Sequence, residues 1–583
     1  MANEDLPFPP FPHVPGTDGA AAAPRERVAQ LMAQALPFAE VEVPMRDGVT
    51  LAADLYLPEG ADRQAPVPCV VLGTPYDKRS PMHAPEALMY RNHGYAFLTY
   101  DCRGRGKSEG LWRAFVQDGP DGYDVVEWAA AQPWCDGNVG TTGLSYSGWN
   151  QWATARERPP HLRAMVSSAA AGRWQEEIPY TFGVFQLYFA YWVYATRRRV
   201  MADGGLVDWN ETLRMLPVTR LMDSLGAVGP TWPDMRDHPD LDAFWRALRL
   251  DDDYASIDLP VLHVNGWHDL EDLLGGFAHY EGMASRSPAR ARQQLIVGPW
   301  PHVGTRWPSR RYGGVDFGPD AAVDMDLVHL RFFDRWLKGI DNGADRDPAV
   351  RIFEMGTNVW RSLPALPPTE EASWYLHHDG DAGALSPVAP AHDEGPRAYR
   401  YDPNDPVTTP LDFARLSFDE PPLDQAYVER RGDVLVYTSA PLTDEVAVAG
   451  WPHLDLWAET DGDDTDWHVR LTDVGPDGVS VRVSAGCLRA ACRDSLRQPR
   501  PVVPGEVTRY DVELGPVTHA FLPGHRIRVV VTSSDFPWFA RSMNRFGPVV
   551  RLDDPRVAEN AVHHAPGHAS RLRLPVWRRG GRG

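Results

Sequence analysis

From about residue 40, the chain alternates apolar stretches of strand length with stretches of helical length. A hairpin is indicated around Arg46-Asp47-Gly48, and apolar runs near Pro68–Leu72 and Tyr95–Tyr100 predict buried strands. Helical stretches near Asp121–Gln132 and Trp149–Arg156 alternate with these strands. Because alternating strands and helices build mostly parallel sheets covered on both faces, the pattern predicts an α/β fold with a doubly wound sheet.

The strand signals stop between residues 173 and 250, where aromatic and charged helical segments replace them. We interpret residues 173–250 as a helical cap that is inserted into an α/β domain made of residues 38–172 and 251–349. The sheet resumes at Pro260, and the last predicted helix of this domain is Asp324–Lys338.

Both ends of the chain depart from the α/β pattern. Residues 1–37 are rich in Pro and Ala and predict an N-terminal arm, in which Arg25–Leu36 could form a short helix. From residue 350 to 583 the hydrophobic positions alternate with polar ones between Gly, Pro and Asp, which predicts an all-β sandwich. The clearest predicted strands there are Val434–Thr438, Leu454–Trp457, Trp467–Leu471, Val479–Val483 and Ile527–Thr532.

Composition narrows the classes of partner. With 79 acidic and 58 basic side chains the formal net charge is −21, which disfavours nucleic acid and anionic membranes as partners. We find neither an apolar run long enough to span a bilayer nor the pattern of a signal peptide, so a cytoplasmic location is expected. Five scattered cysteines favour reduced thiols over a disulfide framework. The length of 583 residues predicts two or three domains and leaves a homo-oligomer open.

A serine between a predicted strand and a predicted helix is the first candidate for chemistry. Residues 140–150 read Gly-Thr-Thr-Gly-Leu-Ser-Tyr-Ser-Gly-Trp-Asn. Such a turn lifts the serine hydroxyl above the sheet and directs the following backbone N–H groups at a developing oxyanion. Ser145 is therefore a candidate nucleophile, and the N–H of Tyr146 is a candidate oxyanion donor. The second glycine is Gly148, one residue later than in the common Gly-x-Ser-x-Gly turn, so the turn alone could equally be structural.

Two later strands end next to a candidate acid and a candidate base. The run Leu259–Gly266 leads to Asp269, and the run Gln294–Gly298 leads to His302. A triad on a doubly wound sheet occurs in the chain order Ser, Asp, His, with the acid and the histidine after later strands. A single Asp or His at the end of a strand usually has a capping or surface role. Three residues of the right types in the right order favour a catalytic triad.

These motifs carry a resemblance to a known family. Gly143-x-Ser145-Tyr146-x-Gly148, Gly266-Trp267-x-Asp269 and Gly298-Pro299-Trp300-x-His302 resemble the signatures of the cocaine esterase and α-amino acid ester hydrolase family, relatives of X-prolyl dipeptidyl peptidases. The likeness extends from about Val43 to Val576. Further matching segments include Thr74-Pro-Tyr76-Asp-Lys78, Asp101-Cys-Arg-Gly-Arg-Gly106, Asp464-Thr-Asp466 and Phe521-Leu-Pro-Gly-His525.

The resemblance implies a serine hydrolase of the α/β-hydrolase fold whose C-terminal sandwich is a jelly roll. It implies two-step acyl transfer from an ester or amide, with Ser145 as nucleophile, His302 as base and Asp269 as its orienting acid. It also implies that the hydroxyl of Tyr76 joins the N–H of Tyr146 in the oxyanion hole. The expected partner is a small-molecule ester or amide, and neither a metal nor another cofactor is expected.

The acyl preference is suggested by acids after the triad Asp. The segment Leu270-Glu271-Asp272-Leu273 resembles α-amino acid ester hydrolases, in which two such acids and a third from the cap bind the substrate ammonium. The third acid could be Glu176 or Glu177. Alternatively, Glu271 and Asp272 merely occupy the first turn of a helix, where acids are favourable. A biosynthetic acyltransferase or deacylase, an X-prolyl dipeptidyl peptidase and a catalytically silent binding scaffold remain as alternative functions.

Overall fold

The structure is a computed structural model. It describes residues 38–80, 82–226, 229–380, 382–410 and 421–579. The predicted N-terminal arm, residues 1–37, and its short helix lie outside the described residues. Among the helices that the structure describes, none is both long and apolar enough to cross a membrane.

A ten-stranded sheet forms the centre of the α/β part. Its strands in chain order are β1 (Ala39–Pro44), β2 (Thr50–Tyr56), β3 (Val67–Thr74), β4 (Ala96–Asp101), β5 (Cys135–Leu144), β6 (Leu162–Ser168), β7 (Val261–Gly266), β8 (Gln293–Gly298), β9 (Val350–Glu354) and β10 (Val359–Leu363). Their order across the sheet is β1-β2-β4-β3-β5-β6-β7-β8-β9-β10. The pairs from β4 to β9 are parallel, and the pairs at both edges are antiparallel.

Helices cover both faces of this sheet and form an inserted cap. Among the described residues, the helices of at least four residues in this part are α1 (Ala84–Asn92), α2 (Asp118–Ala130), α3 (Tyr146–Glu157), α4 (Tyr188–Thr196), α5 (Trp209–Thr212), α6 (Val218–Ser224), α7 (Thr231–Asp237), α8 (Ala243–Leu248), α9 (Leu273–Arg286) and α10 (Met325–Trp336). A single helical turn, α11 (Ala426–Glu429), lies between strands of the C-terminal domain. One apolar cluster joins the sheet to α2, α3 and α9, and another joins it to α1 and α10. The predicted doubly wound α/β fold is confirmed.

The cap consists of α4 to α8 and a short hairpin that pairs Tyr180–Thr181 with Val184–Phe185. All nine residues of α4 are buried, so this helix has no polar face. It packs in an apolar cluster that also contains Phe536 and Trp538 from the C-terminal part of the chain. The cap is therefore held from two sides, by the α/β domain and by the C-terminal domain.

The C-terminal domain is all-β, as predicted. In the part of this domain that the structure describes, one sheet contains thirteen strands, which are β11 (Glu370–Asp379), β12 (Ala382–Ser386), β13 (Arg397–Tyr401), β14 (Leu435–Ser439), β15 (Val446–Gly450), β16 (His453–Thr460), β17 (Asp466–Val474), β18 (Ser480–Arg489), β19 (Thr508–Glu513), β20 (Val517–Phe521), β21 (Arg526–Thr532), β22 (Ala558–Val562) and β23 (Arg571–Val576). Two further short hairpins pair Arg311–Tyr312 with Val315–Asp316 and His564–Ala565 with His568–Ala569.

The structure differs from the predicted start of the sandwich at residue 350. Strand β9 pairs in parallel with β8, with Leu295 opposite Val350, and β10 pairs with β9. Both strands therefore extend the first sheet, which continues to Leu363 and not to residue 349. A short strand is recognised in a sequence from its own residues, whereas the sheet that it joins depends on residues about fifty positions away.

Candidate active site

Ser145 lies at the sharp turn between β5 and α3. Its backbone has φ 65° and ψ −127°, a conformation that a residue other than glycine rarely adopts and that must be held by its surroundings. The Ser145 N–H donates to the carbonyls of Ser168 and Ala169 at 3.2 and 3.1 Å. These bonds fix the turn to the end of the neighbouring strand β6 and hold the hydroxyl above the sheet.

The two glycines around Ser145 are required by close backbone contacts. A Cβ on Gly143 would lie 2.3 Å from the Ser147 carbonyl oxygen, and one on Gly148 would lie 2.5 Å from the Ser168 carbonyl oxygen. Gly148 is thus the point where α3 crosses β6. This contact gives the second glycine a packing role at its unusual spacing from Ser145.

The candidate acid and base meet at the same edge of the sheet. Strands β7 and β8 are parallel, with Gly266 opposite Gly298, so the loops that follow them lie side by side. Nδ1 of His302 lies 3.1 Å from each carboxylate oxygen of Asp269. Oδ1 of Asp269 also accepts the backbone N–H groups of Glu271 and Asp272, at 2.9 and 3.1 Å. The carboxylate is therefore held in place from its own loop while it orients the imidazole.

Tyr76 lies against Ser145. The Trp192 indole donates to the Tyr76 hydroxyl oxygen at 3.2 Å, and the nearby Ser145 side chain favours the ionised form of this phenol. Burial raises the pKa of Tyr76, so the phenol keeps its proton at neutral pH. Because the indole occupies an acceptor position of the oxygen, the phenolic proton remains available for an oxyanion.

Tyr146 is the first residue of α3, so its N–H has no acceptor within the helix. Its side chain is anchored on the opposite side. The Tyr146 hydroxyl donates to Oδ2 of Asp118 at 2.7 Å and accepts the Phe115 N–H at 2.9 Å. These two bonds hold the residue that follows the candidate nucleophile.

Besides Asp269, three acids from two parts of the chain form a cluster at this site, and two of them, Glu271 and Asp272, lie next to His302. Oε2 of Glu271 lies 3.8 Å from Nε2 of His302 and accepts the hydroxyl of Tyr188. Side-chain ligand atoms of Glu271, Asp272 and His302 all lie within 4.8 Å of one another. Oδ1 of Asp272 is buried and has no hydrogen-bond partner among the described residues.

Glu177 is the third acid of this cluster, and it approaches from the cap. Its carboxylate accepts the backbone N–H groups of Gly275 at 2.6 Å and of Gly172 at 3.1 Å. Burial raises the pKa of Glu177 to about 7, even though these bonds favour its charged form. Burial also raises the pKa of Asp272 well above its usual value, and the nearby Glu177 adds to this shift.

Glu176, the other candidate from the cap, lies elsewhere. Its carboxylate pairs with Arg173 at 2.7 Å and with Arg249 at 3.1 Å, and it lines a separate cavity near Arg497. Of the two neighbouring acids, the structure therefore brings only Glu177 to the acids next to His302.

The acids change the charge state of His302. Burial by itself lowers the pKa of a histidine, but the carboxylates of Glu271, Asp269 and Asp272 together raise the pKa of His302 well above its usual value. The acids next to His302 thus favour the charged form of its imidazole. Glu271, Asp272 and His302 have donor types that a divalent cation could use.

Comparison with known proteins identifies the family. A family model described as X-Pro dipeptidyl-peptidase (S15 family) matches residues 47–304, and the X-Pro dipeptidyl-peptidase C-terminal non-catalytic domain matches residues 342–573. The cocaine esterase of Rhodococcus sp. (strain MB1 Bresler) is 33% identical over 593 aligned residues, which cover 92% of this chain and 98% of that protein. The chain belongs to the S15 family.

Two solved structures extend the S15-family comparison to the whole fold. An α-amino acid ester hydrolase matches with a TM-score of 0.83 and 28% identity, over 93% of this chain and 96% of that chain. An aminopeptidase from the marine sediment archaeon Thaumarchaeota archaeon matches with a TM-score of 0.81 and 27% identity, over 93% and 97%. This S15-family chain is a serine hydrolase of esters or amides on the α/β-hydrolase fold, as the sequence predicted.

Two side chains of this S15-family site were absent from the sequence candidates. Tyr188 and Trp192 both belong to α4, and they contact Glu271 and Tyr76 respectively. Their spacing of four residues places them on one side of the helix, where such a pair can reach the same region. That spacing was the available signal, but every position of α4 is buried, so the pattern alone does not separate site residues from core residues.

Proposed function

We propose that this chain hydrolyses esters of α-amino acids with a free ammonium group, through an acyl-enzyme on Ser145. The observation that carries the amino-acyl part is the buried carboxylate of Asp272, whose Oδ1 has no partner among the described residues. A buried carboxylate is unfavourable unless a cation or donors approach it. The ammonium group of the substrate is that cation, and Glu177 and Glu271 are its other acceptors.

In the proposed mechanism, Nε2 of His302 accepts the Ser145 proton while the serine oxygen attacks the ester carbonyl. Asp269 holds the Nδ1–H of the imidazole and stabilises the cation that forms. Collapse of the tetrahedral intermediate transfers the proton to the leaving alcohol and leaves the acyl group on Ser145. Water, with His302 again as base, then releases the amino acid and restores the serine.

The proposed oxyanion hole combines one backbone and one side-chain donor. The N–H of Tyr146 follows Ser145 directly in the chain, and the hydroxyl of Tyr76 lies near the Ser145 side chain. Donors that are already oriented before the reaction stabilise the developing negative charge without a further reorganisation cost. The contacts with Asp118 and Trp192 supply this orientation.

The acid cluster has a second role in this proposal, because it links binding to catalysis. While the site is empty, the acids keep His302 charged, and a charged imidazole cannot accept the serine proton. A bound ammonium group offsets the negative charge of the acids and thereby lowers the pKa of His302. The correct substrate therefore prepares its own general base.

The structural likeness to an aminopeptidase favours a second candidate reaction. The free N-terminus of a peptide carries the same α-ammonium group, and amide cleavage passes through the same acyl-enzyme. Acyl transfer to an amine, also through this intermediate, is separated from hydrolysis by analysing products with a competing amine.

We further propose a cytoplasmic location, because the five cysteines are all free and buried, as suits a reducing compartment. Cell fractionation tests this location. Recovery of the protein outside the cytoplasm contradicts it.

The amino-acyl proposal is tested with a pair of esters that differ only in the ammonium group. Phenylglycine methyl ester and phenylacetic acid methyl ester are compared by kcat/KM in the wild type and in Asp272→Asn. We expect the wild type to prefer the amino ester, and the variant to lose about 10- to 100-fold of that preference, because a charge-assisted hydrogen bond contributes about 1.5–3 kcal/mol.

A second comparison uses Glu177→Gln as the test variant and Glu176→Gln as its matched control. These neighbouring acids differ in that only Glu177 borders the cluster, so only Glu177→Gln should reduce the preference. The preference should grow as the pH rises through about 7, where Glu177 ionises, and fall above about 8, where the substrate amine loses its proton. If wild type and Asp272→Asn prefer the amino ester to the same degree, the proposed ammonium site is contradicted. The chain would then be a general carboxylesterase.

A further inference from the structure

A cavity lies between the loop of the triad acid and the all-β domain. Its volume is about 110 Å³, enough for a few water molecules or one small anion. Its lining includes Trp267, His268 and Asp269 from the loop after β7, and His468, Arg470 and Arg482 from β17 and β18. The all-β domain thus contributes a polar wall directly behind the catalytic acid.

Arg482 is the unusual residue of this wall. It is only 5% exposed, and its Nη2 atom is buried without a hydrogen-bond partner among the described residues. The pairing of β17 with β18 is irregular next to it, because Leu471 lies opposite Ser484 and Thr472 opposite Arg482, so Val483 is an extra residue of β18. An arginine stays charged in a protein, so this buried guanidinium calls for an anion.

The other charged groups of the β-domain wall do not neutralise Arg482. Oδ1 of Asp535 is 3.0 Å from Nη2 of Arg470, and Nη1 of Arg470 donates to Oε1 of Gln425 at 3.0 Å. Burial opposes the charge of Asp535, but Arg470 and, more weakly, Arg482 hold its pKa below the usual value. Two guanidinium groups thus share one carboxylate, which leaves one excess positive charge on this wall.

The histidines of the cavity add polar atoms without adding charge. Burial lowers the pKa of His268 to about 3 and that of His468 to about 4, so both rings are neutral at physiological pH. Nε2 of His268 is likewise buried without a partner among the described residues. Four further acids also border the cavity, and each already has a partner: Asp269 is engaged with His302, Glu271 with Tyr188, Glu177 with the Gly275 N–H, and Glu513 with Arg173.

We propose that Arg482 binds a carboxylate anion in this cavity, next to the loop that carries Asp269. A carboxylate matches the planar guanidinium and accepts from the unpartnered Nη2, and the neutral ring of His268 offers a further polar contact. Such a carboxylate comes either from a free small anion or from the acyl side chain of a substrate. The first source does not depend on the proposed function, whereas the second does.

The first arm of the test measures acetate binding by isothermal titration calorimetry, which needs no turnover. We expect one saturable site in the wild type, a loss of at least tenfold in affinity in Arg482→Gln, and partial retention in Arg482→Lys. The matched control is Arg163→Gln, at an exposed position of β6, which should bind like the wild type. Absence of saturable binding in the wild type, or equal affinity in Arg482→Gln, overturns the proposal.

A crystal of the wild type soaked in acetate keeps the test decisive if Arg482→Gln does not fold. Acetate bound within about 3 Å of Nη2 supports the site, and a cavity that holds only water overturns it. The second arm compares kcat/KM for the α-methyl esters of glutamic acid and glutamine. If the ratio of kcat/KM for the glutamic acid ester to kcat/KM for the glutamine ester falls in Arg482→Lys, the bound carboxylate belongs to the substrate. If this ratio is unchanged while the wild type binds acetate, the bound carboxylate is a free anion.

Discussion

At the scale of single residues, the charge state of His302 depends on Glu271, which lies 3.8 Å from Nε2. Burial lowers the pKa of this histidine, but Glu271 leads the carboxylates that raise it well above its usual value. Since only the neutral imidazole is a base, kcat/KM for a neutral ester rises as the pH passes through this pKa. Glu271→Gln removes a negative charge and therefore lowers the pKa of His302.

We expect the rising limb of kcat/KM for the neutral ester to move to lower pH in Glu271→Gln. The ratio of kcat/KM at pH 6 to kcat/KM at pH 8 should therefore be severalfold higher in the variant than in the wild type. Full pH profiles of wild type and variant with phenylacetic acid methyl ester check this. Glu281→Gln, which alters an exposed acid of α9 outside the cluster, should leave the profile in place. A profile that is unchanged, or displaced to higher pH, contradicts the account of His302.

Tyr76 provides a second prediction at this scale. If its hydroxyl acts on the oxyanion, Tyr76→Phe removes an interaction that is made mainly in the transition state, so kcat falls about 100-fold while KM changes little. Steady-state kinetics measure both constants. Trp192→Phe keeps the hydroxyl but removes its indole partner, and a smaller loss is expected. A change confined to KM, or to thermal stability, would assign Tyr76 to packing.

At the scale of elements, the contact between α3 and β6 positions the nucleophile. A Cβ on Gly148 would lie 2.5 Å from the Ser168 carbonyl oxygen, so Gly148→Ala must displace the start of α3. We expect a loss of about 1–3 kcal/mol in the free energy of unfolding and a larger relative loss of kcat. Gly432→Ala, at a glycine with open space around it, is the control.

Denaturant unfolding and kinetics on these two alanine variants measure both effects. A Gly148→Ala variant with wild-type stability and turnover would show that the spacing of the second glycine has no structural role.

The element scale also shows what the sequence could predict. The helix predicted over Asp324–Lys338 is observed as Met325–Trp336, and Asp324 accepts the Leu327 N–H at its start, because capping is a local property. The five strands named in the sandwich pattern also lie within observed strands or overlap them. The contact partners of α4 could not be predicted, because a helix buried on every side carries no periodic signal.

At the scale of the whole molecule, three parts of the chain meet around one site. The α/β sheet carries Ser145 and His302, the cap carries Trp192, and the all-β domain supports the cap. Tyr188 of α4 stacks on Trp538 with ring centroids 4.8 Å apart and an angle of 3° between the planes. The position of the cap over the nucleophile thus depends on both domains.

This arrangement explains which site residues the sequence could identify. Ser145, Asp269 and His302 follow strands and have a recognisable chain order, so their motifs indicate a triad although they are far apart in sequence. The choice between Glu176 and Glu177 could not be made, because neighbouring side chains point in different directions and only the fold decides which of them meets Gly275.

The most direct test of the account is to identify the atom that carries the acyl group. The wild type is mixed with phenylglycine methyl ester, quenched with acid within milliseconds, digested and analysed by mass spectrometry. The account predicts one phenylglycyl group on the peptide that contains Ser145, located to that residue by fragmentation, and neither adduct nor turnover in Ser145→Ala. An adduct on Ser147 or elsewhere, or turnover that persists in Ser145→Ala, would contradict the central claim.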